Sequence, residues 1–287
     1  MIKWIVAFLV TANYALSAEA TLLSSYAWTM SDENFGGFSS LEMDDQGQGF
    51  MTTSDHGYFL SGKINRQNGK IVSVSNQKLA PINNPKGALV DELNGDAEGI
   101  AIGPNGKIFV SFERNHRVWS YTETNSAAHK LPKHADFDTL QYNSSLEALA
   151  IDNNGWLYAV PERSGKMNRP FPIYRFNGTR WDKRLSIPRR GTFLVTGADI
   201  GPDGKFYLLE RDYFIPIGIA TRVRSFGITK SGLIDEQVVL LTNYGAHDNL
   251  EGISVWQDDR KHIRITLISD DNFSFFQQTE LVEYVIN

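Results

Sequence analysis

The chain has 287 residues, with 28 lysines and arginines against 33 aspartates and glutamates. The resulting net charge of −5 argues against nucleic acid as a partner, because nucleic-acid-binding proteins usually carry a basic face. There is no cysteine, which excludes a disulfide framework, thiolate metal sites and a cysteine nucleophile. The 24 glycines and the lack of a long amphipathic pattern favour many short strands joined by tight turns.

Residues 1–20 have the pattern of a secretory signal peptide. A basic residue precedes the apolar run "WIVAFLV", and Ala18 and Ala20 provide the small residues expected before a cleavage site at Thr21. This run is much shorter than the roughly 20 apolar residues of a membrane span, and no later segment has the length and apolarity to cross a bilayer. We therefore predict an exported protein, periplasmic or secreted, with a single domain over residues 21–287.

A phrase that places an acidic residue before an apolar strand recurs at spacings of 49 to 56 residues. It reads "SLEMDDQG", "DAEGIAIG", "SLEALAID" and "NLEGISVW", and "GADIGPDG" adds a fifth unit in which Thr196 replaces the acid. The repeated acids are Glu42, Glu98, Glu147 and Glu251. Self-similarity at this period is typical of propellers and other repeat folds.

Each unit contains the pattern of a hairpin followed by about two further strands. Turns such as "GPNG" and "GPDG" join the first strand to a second one, such as "KIFVSF" or "KFYLLE". Four strands per unit predict an all-β, five-bladed β-propeller, and a degenerate sixth blade within residues 64–95 is the alternative. The last unit is one strand short, so "TLLSSYAWTM" is predicted to pair into it and close the ring.

A carboxylate also follows the second strand of every unit. In an antiparallel hairpin, the start of the first strand and the end of the second lie at the same end. If the first strand is innermost, these acids join the repeated glutamates around one mouth of the central channel. The residues are Asp55, Glu113, Glu162, Glu210 and Asp270.

Carboxylates this close together raise one another's pKa and cost stability unless a cation neutralises them. A hard cation with oxygen ligands is suited to the task, and Ca²⁺ accepts 6–8 oxygens in tolerant geometry. The sequence therefore predicts Ca²⁺ as a cofactor, although the same glutamates would serve architecture alone if they cap backbone amides of neighbouring blades. The expected ligands are Glu42, Glu98, Glu147, Glu251, Asp55 and Asp270.

Other residues near these motifs are candidates for binding or catalysis. The arginines that directly follow second-strand glutamates would bind an anionic substrate or form ion pairs between blades; they are Arg114, Arg163 and Arg211. His56 and His116 lie next to the mouth motifs and are either catalytic or simply exposed polar residues. The aromatic run is predicted to pack within a blade; it comprises Phe273, Phe275 and Phe276.

The order of these motifs resembles the phytase-like family, also described as "esterase-like activity of phytase". The resemblance rests on "SDHG", "EGIAIGPNGKIFVSFER", "LEALAIDNNGWLYAVPER", "ADIGPDGKFYLLERDY" and the closing "SDDNF…QQT", and it covers nearly the whole mature chain. It implies a propeller, an extracytoplasmic location and a link to phosphate-ester or ester hydrolysis. The acidic positions named above match positions that recur in the family.

Two functions follow from these patterns. The first is a metal-dependent hydrolase of phosphate or carboxylate esters, in which the repeated glutamates hold Ca²⁺, a second-strand acid is the general base and the arginines orient a small anionic substrate. Its candidate catalytic residues are Glu113, Glu162, Glu210, His56 and His116. The alternative is a non-catalytic propeller that binds a ligand or protein in the envelope or outside the cell. The sequence does not indicate an oligomeric state.

Overall fold

The computed structural model describes residues 20–91 and 94–286, which form five four-stranded antiparallel sheets. Blades 1 to 3 are consecutive in the chain. Their strands are β2 (Glu42–Met43), β3 (Gly49–Ser54), β4 (Tyr58–Gln67), β5 (Lys70–Pro81), β6 (Ala97–Ile102), β7 (Ile108–Phe112), β8 (Arg117–Tyr121), β9 (His129–Lys130), β10 (Ala148–Ile151), β11 (Leu157–Val160), β12 (Phe171–Phe176) and β13 (Trp181–Ile187).

Blades 4 and 5 complete the ring, and the fifth is built from both ends of the described chain. Their strands are β14 (Leu194–Ile200), β15 (Phe206–Phe214), β16 (Gly218–Ile228), β17 (Leu233–Leu241), β18 (Asn249–Gln257), β19 (Ile263–Asp270), β20 (Glu280–Ile286) and β1 (Ala20–Ala27). A short 3₁₀ helix spans Ala135–Thr139. Among the residues described, none belongs to a helix with the length and apolar character needed to cross a bilayer.

The first strand of each blade is the inner one, as predicted. Each inner strand contacts the inner strand of the blade on either side, so β2, β6, β10, β14 and β18 form a closed circle around a central channel. Buried clusters of aliphatic and aromatic side chains fill the spaces between neighbouring blades. This is a five-bladed β-propeller, and the alternative of six blades is wrong because residues 70–81 form the outer strand of blade 1.

The N-terminal strand closes the ring in the way that the sequence predicts. Strand β1 pairs antiparallel with β20, from Ala20 opposite Ile286 to Ala27 opposite Glu280. This pairing supplies the outer strand that the last blade would otherwise lack, and it covers a sheet edge that is a site for aggregation. The signal-peptide prediction concerns residues that lie, except for Ala20, outside the described chain, so export remains a prediction.

Glycine at the start of the inner strand reflects the close approach of neighbouring blades. A Cβ on Gly252 would lie 2.5 Å from the backbone carbon of Ser40, and one on Gly197 would lie 2.6 Å from the carbonyl oxygen of Glu251. Gly99 is similarly crowded by the carbonyl oxygen of Glu147, at 3.0 Å. The glycine that follows the repeated acid, or follows Thr196 in blade 4, is therefore required where blade 2 packs on blade 3, blade 4 on blade 5, and blade 5 on blade 1.

We predict that Gly252→Ala lowers the free energy of unfolding by about 1–3 kcal/mol, because the added methyl group collides with backbone that has little room to move. Chemical denaturation would measure the loss. Gly232→Ala is the matched control, because a Cβ at Gly232 meets nothing within 4 Å and the residue does not have a positive φ. Equal stability of the two variants would contradict this account of the glycine.

Candidate functional site

The hairpin turns define which inner-strand residues are equivalent. The first turn residue donates its N–H to the start of the second strand in the same way in each blade, for example Gly103 to Lys107 O at 2.8 Å and Asp44 to Gly49 O at 2.8 Å. Five residues before the turn, in blades 1 to 4, lie Ser39, Glu98, Glu147 and Thr196. Glu251, which like Glu98 and Thr196 lies at a register shift between the first two strands, takes this place in blade 5.

The structure therefore separates Glu42 from the other repeated glutamates. Glu42 pairs opposite Met51, two residues before the turn, and its Oε1 accepts a hydrogen bond from Ile102 N at 3.2 Å. Burial raises its pKa well above the usual value, and the neighbouring Asp199 raises it further. Glu42 thus lies at the turn end of the channel, and the structure does not bring it together with the other predicted ligands, because the acid of "SLEM" lies three residues closer to the turn than Glu98 and Glu147 do.

We call the opposite end, where the inner strands begin, the mouth. The second-strand residues that reach it are fixed by backbone pairing: Glu113 N donates to Asp96 O at 2.9 Å, and Glu162 N donates to Ser145 O at 2.8 Å. Asn249 pairs opposite Asp270, and Leu194 pairs opposite Arg211. The mouth positions in blade order are Asp55, Glu113, Glu162, Arg211 and Asp270.

Glu210 is therefore not a mouth residue. Successive side chains of a strand point to opposite faces, so Glu210 projects away from the channel while Arg211 projects into it. The Glu210 side chain is 0% exposed and pairs with Arg222 at 2.8 Å and with Arg224 at 2.6 Å. The structure therefore does not bring Glu210 to the mouth with the other predicted catalytic acids, because its carboxylate is held by these two guanidinium groups.

Three buried carboxylates meet at the mouth in what we call the mouth cluster: Asp96, Glu98 and Glu113. One oxygen of each lies within 4.8 Å of one oxygen of both others. In addition to burial, Asp96 raises the pKa of the neighbouring Glu98, and Glu113 raises the pKa of the neighbouring Glu147. Carboxylates packed this closely repel one another unless a proton or a cation offsets their charge.

The pKa values of several mouth carboxylates are raised, as expected for crowded acids. Burial raises the pKa of Glu98 well above its usual value, and Glu147, Asp96 and Glu113 raise it further. Burial likewise raises the pKa of Asp55 to about 7, with Asp96 adding to the effect. On the far side of Asp55, burial raises the pKa of Asp270 to about 7. Negative charge is thus strongly disfavoured at the mouth unless a cation offsets it.

Arg211 neutralises only one side of the mouth. Its guanidinium lies 3.3 Å from a carboxylate oxygen of Glu162, contacts the carboxylate of Glu251, and donates to Asn249 Oδ1 at 2.9 Å. These contacts are the inter-blade ion pairs that the sequence left open as an alternative for the arginines. The mouth cluster lies on the other side.

Arg114 and Arg163 have different surroundings. Arg114 Nε lies 2.9 Å from Asp96 Oδ2, and this is the one arginine or lysine that is ion-paired with the mouth cluster among the described residues. Arg163 Nε lies 2.9 Å from Glu162 Oε2, but its side chain is 49% exposed. Of the three predicted arginines, Arg163 therefore presents the most guanidinium to solvent.

The two predicted histidines, His56 and His116, also have different surroundings. His56 stacks on Phe273 with ring centroids 3.9 Å apart, and it is close enough to Asp96 to act on its charge. His116 is buried, which lowers its pKa, and the backbone of Leu140 offsets part of this shift. The charges that act on His116 belong to Lys133 and Asp138, so the structure does not bring it to the mouth carboxylates.

Sequence reasoning missed Asp96 as a member of the cluster. It lies two residues before Glu98, where the other blades have Gly37, Ser145, Leu194 and Asn249, so no repeated acid marks this position in the sequence.

The prediction that the aromatic run packs within a blade was wrong in part. Phe275 is 96% and Phe276 is 92% exposed, because the loop between β19 and β20 carries them away from the blade.

Comparisons with known proteins agree with this architecture. Residues 33–273 match the family model described as "Phytase-like: Esterase-like activity of phytase". No curated protein matches the chain significantly.

Several solved structures share the fold. An α-L-arabinofuranosidase from Podospora anserina superposes with a TM-score of 0.54 at 10% identity, covering 95% of this chain and 98% of its own. An endo-arabinase from Bacteroides thetaiotaomicron gives 0.52 at 12% identity, covering 88% and 94%. A PQQ-bound aldose sugar dehydrogenase from Streptomyces coelicolor gives 0.50 at 11% identity, covering 93% and 99%. At these identities the likeness concerns the fold alone.

Proposed function

The chain belongs to the phytase-like family, and from this premise we propose that it is a Ca²⁺-dependent hydrolase of phosphate or carboxylate esters that acts at the mouth. The observation that carries the proposal is the mouth cluster of Asp96, Glu98 and Glu113, whose oxygens approach within 4.8 Å. A buried group of acids with one paired arginine is a poor arrangement for stability and a good one for cation binding.

The donor set fits calcium better than softer metals. The chain has no cysteine, and the cluster contains carboxylate oxygens without an imidazole. Asp96, Glu98 and one oxygen of Glu113 would hold the ion, which leaves the second oxygen of Glu113 to accept a proton, and Glu147 lies beside Glu113 at the edge of the cluster. When bound, Ca²⁺ supplies positive charge that offsets the negative charge developing on the ester oxygens.

The chain's own residues would supply the remaining functions. Glu113 lies at the edge of the cluster, and we assign it the role of accepting a proton from the attacking water. Glu162 is less suitable, because Arg163 and Arg211 both occupy its carboxylate. Arg163, which is half-exposed beside the mouth, would orient the anionic group of the substrate. Arg211 would hold Glu162 and Glu251 in place.

A non-catalytic binding propeller is the second candidate, and one observation favours it. Two loops at the mouth end carry large apolar side chains in solvent: Ile215 between β15 and β16 is 87% exposed, and Phe275 and Phe276 are more exposed still. Side chains of this kind are common where a protein binds a partner. In this case the mouth would recognise a ligand or protein without chemical turnover.

Turnover in the presence of calcium distinguishes the two candidates. The protein would be stripped with chelator, freed of it by gel filtration, and assayed with p-nitrophenyl phosphate and p-nitrophenyl acetate with and without Ca²⁺. We expect Ca²⁺-dependent hydrolysis that falls about 100-fold or more in Glu113→Gln, because a positioned base contributes at least this much.

Glu42→Gln is the matched control for this assay. It removes a buried carboxylate of raised pKa, but at the turn end of the channel, so turnover should be retained. Calcium binding without hydrolysis of either ester would favour the binding propeller. Hydrolysis that is unaffected by calcium and by Glu113→Gln would place the reaction elsewhere in the protein.

A further inference from the structure

Positive charge is concentrated in one segment of this acidic chain. Residues 163–190 contain nine arginines and lysines and one acidic residue, Asp182, whereas the whole chain has more acids than bases. The nine cations are Arg163, Lys166, Arg169, Arg175, Arg180, Lys183, Arg184, Arg189 and Arg190. Such local asymmetry attracts anionic ligands, even though the net charge of the protein is −5.

Several of these cations line one cavity, which we call the basic groove. The cavity has a volume of about 490 Å³ and lies between the loop that joins β11 to β12 and strand β13. It is lined by Arg163, Arg169, Lys183 and Arg184, with Asp136 as the one acidic residue of its lining. A volume of this size suits a small organic molecule.

The cations of the groove are not fully neutralised by the protein. Lys183 contacts Asp136, whereas Arg184 only approaches Asp182 at 3.9 Å and has a side chain that is 73% exposed. Arg169 lines the groove without an acidic partner in the described part of the chain. Positive charge that has no counter-charge within the protein is available to a ligand.

A second feature extends the groove on its other side. A smaller cavity of about 130 Å³ shares Arg163 with it and is also lined by Lys166 and Arg189. Burial lowers the pKa of Arg189, and the positive charge of Arg163 lowers it further. Two arginines that face each other in this way repel, and an oxyanion between them would relieve the repulsion while accepting hydrogen bonds from both.

The basic groove lies next to the mouth. Arg163, which lines both cavities, directly follows Glu162, and Glu162 is one of the mouth positions held by Arg211. A ligand in the groove therefore lies beside the carboxylates of the mouth. The two regions are therefore close enough for one molecule to contact both.

We infer that the basic groove binds small organic molecules that carry two or more phosphate, sulfate or carboxylate groups, and that a substrate places its second anionic group there. The binding site stands on the geometry and charge of the groove alone. The second part rests on the proposed function, because it requires that the ester bond of the same molecule lies at the mouth.

Binding of tripolyphosphate and of tricarballylate to the calcium-free protein tests the site. Isothermal titration calorimetry in about 0.15 M salt would suppress weak contacts with scattered surface charge. We expect one-to-one binding of at least one of the two anions, which would also show whether the groove prefers phosphate or carboxylate groups. The double variant Arg169→Gln/Arg184→Gln should bind about tenfold or more weakly, because each lost charge-assisted hydrogen bond contributes to affinity.

The double variant Lys230→Gln/Arg260→Gln removes the same charge from exposed positions outside the groove and should bind as the native protein does. Equal weakening in the two double variants, or no binding of either anion, would overturn the site. Glu98→Gln should retain tripolyphosphate binding, because the groove does not include the mouth cluster.

The same variants separate the site from the proposed function. If esters are hydrolysed, Arg169→Gln/Arg184→Gln should raise KM for an ester with a second anionic group and leave KM for an uncharged ester unchanged. Equal KM effects on both esters would overturn the placement of the substrate. If no ester is hydrolysed while tripolyphosphate still binds, the proposed function fails and the anion site stands.

Discussion

Replacing Glu210 by alanine is expected to lower the free energy of unfolding by about 3–5 kcal/mol, because the change removes the counter-charge of Arg222 and one of the two carboxylates that bind Arg224. Arg222 and Arg224 both bind the Glu210 carboxylate, and the side chains of Glu210 and Arg224 are completely buried. Arg224 keeps Glu236 as a partner at 2.7 Å, which limits the loss but does not replace the second carboxylate.

Urea denaturation of Glu210→Ala beside Asp182→Ala would test this expectation. Asp182 also binds an arginine through two hydrogen bonds, both of 3.0 Å to Arg175, but its side chain is 25% exposed. Water therefore replaces much of the lost interaction, and we expect Asp182→Ala to cost about 1 kcal/mol or less. A loss of similar size in the two variants would mean that Glu210 is not a buried structural partner of the two arginines.

The mouth position of blade 4 is occupied by Arg211 and not by Glu210, which shows what the sequence could and could not predict about the site. The pairs "ER" in blades 2, 3 and 4 look alike, and aligning them puts Glu210 in the mouth. Counting ten residues from the first turn residue instead gives Glu113, Glu162 and Arg211. A shift of one residue in a strand moves the side chain to the other face, so the fold was predictable while this site residue was assigned to the wrong side.

The blade count and the ring closure were predictable because they depend on features repeated along the chain. Turns that contain a glycine with positive φ recur along the chain, as at Gly106 (+77°) and Gly204 (+75°), and these two mark the hairpin between the first two strands of their blades. Asp96 and the basic groove depend instead on single residues that neighbouring strands and loops bring together. No period in the sequence reports such contacts, because each blade contributes a different residue.

The effect of calcium on stability is the second large expected result. An ion that binds the folded protein alone stabilises it by about 2.7 kcal/mol at 100 times its Kd, which corresponds to a rise in Tm of roughly 5–10 °C for a domain of this size. Scanning calorimetry of the stripped protein, with and without Ca²⁺, would measure this rise. Mg²⁺ should have a smaller effect, because it requires stricter octahedral geometry than a cluster of carboxylates provides.

Glu98→Gln should raise the Tm of the metal-free protein and reduce the gain in Tm that Ca²⁺ produces. Without metal, the variant should have a higher Tm than the native protein, because it removes one of several buried like charges that raise each other's pKa. With Ca²⁺, its gain in Tm should be much smaller, because a ligand oxygen with full charge has been lost. Glu42→Gln also removes a buried carboxylate of raised pKa, but it should keep the full calcium response. If Glu98→Gln lowers the metal-free Tm and leaves the calcium response intact, the glutamate has an architectural role and the mouth cluster is not the calcium site.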